Sequence, residues 1–308
     1  MLNELVNRSQ ALPADAKVLI LGGGYSGRML AALLRRLGNT VLCTRRDRSR
    51  ADADLLFDSD RSLLPQTEAL QGITHLLSTI PPSPDGQDPA LRCLRSQLES
   101  MPLQWVGYLS TTGVYGDREG NWVSEANPAK PGQARSQRRL HCEEAWQDSG
   151  LPIQILRLPG IYGPGRSVLN TVLEGRARRI IKTGQVFCRV HVEDIAGACL
   201  HLMHRSKDGL HPAIVNVVDD EPAASTELLD HACALLGRNI LETETFEQAS
   251  LQMSAMARSF WSENRRVSNQ LLRNDLGYEL LHPDYRVGLQ DCLQQDDLKQ
   301  DVSPSSPG

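Results

Sequence analysis

The residues with the clearest chemistry come early in the chain. In LGGGYSG, Gly22, Gly24 and Gly27 supply G-x-G-x-x-G between an apolar run, KVLIL, and a segment of helical period. Each position answers a mechanical need. Gly22 permits a tight turn, Gly24 lets a diphosphate approach the backbone, and Gly27 lets helix pack on strand. The N–H groups at that helix start, through Tyr25 and Ser26, then face the phosphates. The plain alternative is an ordinary strand-to-helix turn, but the flanks are those of a first βαβ unit.

About 20 positions after the first glycine, a site for NAD carries an acidic residue for the ribose 2′-hydroxyl. This chain has Cys43, Thr44, Arg45 and Arg46 there. A carboxylate repels a 2′-phosphate, whereas guanidinium groups bind it bidentately and stack on adenine. The expected cofactor is therefore NADP, with NAD less favoured. Arg45, Arg46, Arg48 and Arg50 also admit a reading as a solvated basic loop.

From Lys17 the chain alternates short apolar runs with helical segments, the pattern of parallel strands joined by crossover helices. Strands are expected at 17–21, 40–44, 54–57, 73–79, 105–110 and 153–158, and helices at 27–37, 63–70, 89–101 and 133–147. Six strands in this alternation imply an α/β fold with a doubly wound parallel sheet. Beyond Arg157 the pattern loosens into a smaller C-terminal lobe. It has helices at 193–204, 227–236 and 264–276 and a strand in AIVNVV. The expected organisation is a flexible 1–13, a dinucleotide domain over 14–165, a substrate lobe over 166–293 with returning sheet elements near 186–218, and a disordered tail at 294–308.

Composition excludes other classes. At 308 residues with 40% hydrophobic and 23% charged, the chain buries a core without staples, and its net charge of −4 lacks the basic excess of a nucleic-acid binder. No apolar run approaches the roughly 20 residues needed to cross a bilayer, so a cytoplasmic protein with a small-molecule substrate is expected. Seven cysteines without C-x-x-C spacing read as reduced thiols. His201 and His204 share a helix face but lack a third ligand, so no metal is expected. Oligomeric state is left open, a homodimer being one option.

Behind the glycine motif, STTGVYG (110–116), ILRLPGIYGPGR (155–166), RVHVEDIA (189–196) and VNVVDDEP (215–222) occur in one order. Together they resemble the extended short-chain dehydrogenase/reductase family in its NAD-dependent epimerase/dehydratase branch, most closely the atypical, YeeZ-like members. The resemblance spans roughly 17–289 and implies a Rossmann-type fold carrying a substrate lobe. It implies that Thr79, Ile80 and Pro81 border the cofactor, that Asp58 approaches adenine, and that Pro159 lies near the nicotinamide. Gly160 stands where nucleotide-sugar epimerases often carry Asn.

Family members use a hydroxyl residue with a Tyr and a Lys in Y-x-x-x-K spacing. Thr111 falls at the hydroxyl position. Glu143 places the Y-x-x-x-K window on Arg135 to Arg139, where neither Tyr nor Lys occurs. A guanidinium with pKa above about 12 cannot shuttle a proton near neutral pH, so Arg135 is no general base. Arg139 retains the binding half of the lysine's task, as a donor to ribose or phosphate. Tyr115, four positions after Thr111, is the first candidate for the missing proton donor, with Tyr162 and His191 behind it. Each of the three also reads as a packed core residue. The expectation is an NADP-dependent oxidoreductase or epimerase acting on a small polar metabolite, with Thr111 and Tyr115 catalytic. The alternative is a non-catalytic NADP(H)-binding regulatory or scaffolding protein.

Overall fold

A computed structural model describes residues 2–47 and 53–296. Arg48, Arg50 and the tail beyond Asp296 lie outside them. After a short helix α1 (Leu2–Arg8) the first βαβ unit is β1 (Lys17–Leu21), α2 (Tyr25–Arg36) and β2 (Thr40–Arg45). The sheet continues with β3 (Leu55–Leu56), β4 (His75–Ser78), β5 (Trp105–Thr111), β6 (Ile153–Leu158) and β7 (Ile214–Asn216). In space the order is β7-β6-β5-β4-β1-β2-β3, and every neighbouring pair is parallel. Strand order reverses between β1 and β4, which opens a crevice at the carboxyl ends of those strands.

The continuous apolar reading of β1 has a simple cause: both faces of the sheet are covered. Val18 and Ile20 join the cluster under α2 and α6 (Val192–Lys207), where Leu30, Leu33 and Leu34 meet them. Leu19 and Leu21 point to the opposite face, into the cluster with Leu91, Leu94 and Trp146 from α3 (Pro89–Ser100) and α4 (Ala134–Gln147). A smaller cluster, containing Leu169, Ala232, Leu236 and Leu289, joins α5 (Val168–Leu173), α7 (Ser225–Leu235) and α8 (Tyr285–Gln295). The fold is thus the expected Rossmann-type α/β sandwich.

The strand expected in AIVNVV returns to the sheet as its seventh, β7. Three expectations are corrected. The expected helix at 63–70 shrinks to a 3-10 turn over Thr67–Leu70, because Pro65 cannot sit inside a helix and biases Leu64 toward extended backbone. The expected helix at 264–276 gives way to a strand, Arg266–Val267, and a short π-helical turn, Leu271–Asp275. The N-terminus is docked rather than frayed: Leu5 and Leu12 are buried, and the Asn39 side chain exchanges two 3.1 Å hydrogen bonds with the Leu12 backbone. At the other end, α8 runs through Gln295, and the Asp296 carboxylate accepts from the Gly165 N–H. No described helix is long and apolar enough to cross a membrane.

Candidate functional site

The glycine turn lies at the head of the crevice. Gly22 has φ +92°, and a Cβ there would sit 2.6 Å from Thr79 Oγ1, whose hydroxyl donates to the Gly22 carbonyl. The turn is tied to β2 by Gly22 N–H to Thr44 Oγ1 and Gly23 N–H to the Thr44 carbonyl. A Cβ on Gly27 would meet the Gly22 carbonyl at 2.5 Å and Ile20 at 3.0 Å. Gly24 differs: a Cβ there would meet nothing within 4 Å. Gly24 is also the N-cap of α2, and no side chain caps that helix start, so its first N–H groups keep their affinity for an anion. Ser26 is buried, and the Tyr25 hydroxyl donates to the Pro164 carbonyl at 2.9 Å, with burial holding its pKa above the ordinary phenol value.

A cavity of 570 Å³ opens from this turn, bounded by Gly22, Gly24, Arg45 and Arg46 on one side and Asp58, Thr79 and Ile80 on the other. The Asp58 carboxylate accepts the N–H groups of Asp60 and Arg61, so it shapes its own turn. A second cavity, of 880 Å³, shares Pro81 and Pro82 with the first. Thr111, Arg139 and Pro159 line it. Thr111 ends β5, and its Oγ1 accepts the Gly113 N–H at 3.1 Å. Arg139 Nη1 donates to the Tyr108 hydroxyl and the Leu109 carbonyl, both at 3.0 Å, and reaches the Ile80 carbonyl at 3.5 Å. Its guanidinium therefore staples the loop after β4 to β5 at the junction of the two cavities.

The candidate proton donors fall elsewhere. Tyr115 is fully buried, lines neither cavity, and donates its hydroxyl to Asn216 Oδ1 at 2.8 Å while its ring faces Arg157. Its pKa is raised by burial. The structure thus packs this phenol in the core and does not bring Tyr115 into the crevice beside Thr111. Tyr162 and His191 pack edge to face with ring centroids 5.2 Å apart, also away from the crevice. Burial lifts the Tyr162 phenol far up and holds the His191 imidazole far down.

Residues 18–217 match the profile of the NAD dependent epimerase/dehydratase family. The chain belongs to this family. No curated protein sequence matches it. Among solved structures, a functionally unknown conserved protein from Silicibacter pomeroyi DSS is 38% identical, with 91% of this chain and 99% of that chain covered and a TM-score of 0.82. UDP-N-acetylglucosamine 4-epimerase from Bacillus cereus shares the fold at 14% identity, coverage of 91% and 99%, and a TM-score of 0.73. The human epimerase family protein SDR39U1, solved with NADPH, shares it at 17% identity, coverage of 93% and 100%, and a TM-score of 0.68.

In this epimerase/dehydratase family member, Arg135, Ser136, Arg138 and Arg139 of α4 all line the larger cavity. The anchor that turns this helix face inward is Glu143. It receives Arg157 from β6 in a buried two-pronged pair, closest at 2.6 Å, and the Ser110 hydroxyl from β5. The opposite wall was missed from sequence. Phe260 and Trp261, from the short helix Ala255–Trp261, and Glu263 and Arg265 beyond it enclose the cavity. That stretch has no apolar periodicity and carries no motif.

One further cluster lies outside the crevice. His191, Glu193, His282 and Asp291 are fully buried with their donor atoms within 4.8 Å of one another. Two histidines and two carboxylates are a zinc-type donor set, but His282 Nε2 already bonds Glu193 Oε2 at 3.0 Å, and Gln295 donates to both carboxylates. The group is a hydrogen-bonded joint between α6 and α8.

Proposed function

We propose that this protein binds NADP(H) along the paired cavities and uses it in an oxidoreductase or epimerase reaction on a small polar metabolite. The observation that carries the reading is the open face of Gly24 above the uncapped start of α2, in one cavity with Arg45 and Arg46. This is a backbone cradle with room for a diphosphate and cations in reach of a 2′-phosphate. NADPH in the structure of SDR39U1, which shares the fold, accords with it. When bound, the cofactor supplies hydride transfer at the nicotinamide.

The chain's own residues then have distinct tasks. Gly22, Gly24 and the N–H groups from Tyr25 to Gly27 hold the diphosphate, while Arg45 and Arg46 select the extra phosphate. Asp58 borders the adenine end, and Thr79, Ile80 and Pro81 wall the middle. Arg139 and Pro159 position the ribose and nicotinamide end. Thr111 donates a hydrogen bond to the reacting oxygen from the end of β5.

A second reading has its own observation. The larger cavity is lined by no Tyr, His, Lys or Asp among the described residues. Burial pushes the one thiol there, Cys188, up to about 11. A wall without Tyr, His, Lys or Asp favours an NADP(H)-binding protein without turnover. Titration of NADPH fluorescence, followed by a metabolite screen at 340 nm (the reduced-nicotinamide absorbance band) with wild type and Thr111→Ala, separates the two. Turnover lost in Thr111→Ala supports the enzyme; tight NADPH binding with no turnover supports the second reading; no binding refutes both.

A further inference from the structure

We infer that the larger cavity takes a small dianionic substrate, a dicarboxylate or a phosphate monoester, gripped between Arg135 and Arg138 on one wall and Arg189 on the other. The inference rests on the cofactor reading, since that cavity adjoins the nicotinamide end.

Charge is the first argument. The chain has a net charge of −4, yet Arg135, Arg138, Arg139, Arg166, Arg189 and Arg265 all line this cavity, against a single lining carboxylate. That carboxylate, Glu263, is paired with Arg265 at 2.8 Å. An acidic protein that gathers arginines in one concave site creates a local field for anions.

The state of the arginines is the second. Among the described residues, no carboxylate or carbonyl accepts from the guanidinium of Arg135 or Arg138. Arg135 rests over the Phe260 ring at 4.2 Å, a contact that orients a guanidinium while leaving its in-plane N–H groups available. Arg135 and Arg138 are three apart on α4, so they share a helix face. Arg189 comes from a different element, the short strand Arg189–His191. It is 8% exposed, and its Nη1 donates to the carbonyls of Phe187 and Ala223, which fix its direction. Asp219 lies near Arg189 but outside the cavity lining, and among the described residues no ion pair joins the two.

The donor and acceptor inventory is the third. The lining side chains offer guanidinium N–H groups and the hydroxyls of Thr111, Thr112, Ser136, Ser225 and Ser259, and no Asn, Gln or Asp. A sugar or other polyol brings donors that require acceptors, and this wall is poor in them. A carboxylate or phosphate brings only acceptors and finds donors from two sides. Arginines from two elements, with Phe187 and Trp261 in the same lining, suit a short carbon skeleton bearing an anion at each end, or one doubly charged phosphate.

Calorimetry on the full chain, free and saturated with NADPH, tests this with malate, glycerol 3-phosphate, glucose and UDP-glucose. Malate or glycerol 3-phosphate is expected to bind, and which one does distinguishes carboxylate from phosphate. Arg135→Gln and Arg138→Gln should each weaken that binding about tenfold, the scale of one charge-assisted hydrogen bond. NADPH affinity and the unfolding temperature should hold, and Arg95→Gln, an exposed change outside the cavity, should have no effect. Binding of glucose or UDP-glucose in preference, no binding of either dianion, or equal weakening by Arg95→Gln would overturn the inference. Failure of NADPH to bind sinks the cofactor reading instead, and the titration of the free chain still decides the anion site.

Discussion

Gly24→Ala and Gly27→Ala separate the two tasks of one turn. At Gly27 the new methyl would lie 2.5 Å from the Gly22 oxygen, which the Thr79 hydroxyl and the Gly24 N–H hold in place. Overpacking of this kind costs about 1–3 kcal/mol, offset by roughly 0.5–1 kcal/mol from replacing Gly by Ala within a helix. The net loss, on the order of 1–2 kcal/mol, lowers the unfolding temperature of a chain this long by about 2–4 °C. At Gly24 the methyl meets nothing in the protein, so only the poorer N-cap is felt, under about 1 kcal/mol. It does, however, occupy the face on which a diphosphate would rest. Losing one or two backbone hydrogen bonds to a charged group, about 1.5–3 kcal/mol each, weakens NADPH binding at least about tenfold. NADPH fluorescence titration and thermal unfolding of both variants read the two effects side by side. Wild-type NADPH affinity in Gly24→Ala would refute the cradle, and an unchanged melting temperature in Gly27→Ala would refute the packing argument.

Three other outcomes are expected. Arg46→Ala should weaken NADPH binding about tenfold or more, the scale of a lost charged hydrogen bond, with NADH binding unchanged; equal loss for both coenzymes removes the 2′-phosphate role. Tyr115→Phe should cost about 1–3 kcal/mol by leaving buried Asn216 Oδ1 without its donor and spare any NADPH-linked turnover, whereas lost turnover at wild-type stability would restore Tyr115 to catalysis. Burial lowers the His75 pKa from 6.5 to about 4, so the folded state keeps it neutral. Its stabilising contribution is complete above pH 6.5 and is lost as pH falls towards 4, in total about 3 kcal/mol at about 1.4 kcal/mol per unit. Urea unfolding of wild type and His75→Gln across that window should show the variant less acid-sensitive, and parallel curves would refute the assignment.

The sheet was legible because its signals are local. β1 carries a continuous apolar run after Lys17, β6 one broken only by Gln154 and Arg157, and the turn residues between β1 and α2 have one mechanical solution. The crevice edge was legible for the same reason: Arg45 and Thr111 end their strands and Thr79 directly follows one. What failed was non-local. Tyr115 follows β5 by four residues, and no spacing rule records that its hydroxyl meets Asn216, 101 positions away. The wall from Phe260 to Arg265 is placed by contacts with Phe187 and Gln185 across more than 70 positions, for which a single sequence has no signal. The stretch 63–70 is the local exception: Pro65 excludes the expected helix.

Glu143 explains how the chemistry of α4 can change while its geometry stays. The helix is held by a carboxylate inserted between β5 and β6, where it meets Arg157 and Ser110. Removing that carboxylate would strand a buried guanidinium, a loss of about 3–5 kcal/mol, so position 143 is bound by stability. Positions 135 and 139, two turns and one turn earlier on the same face, face the cavity and bear no such load beyond the Arg139 staple. They are free to trade a proton-transferring group for a permanent cation without disturbing the sheet. A helix so anchored carries whatever its crevice face presents, and in this chain that face presents charge.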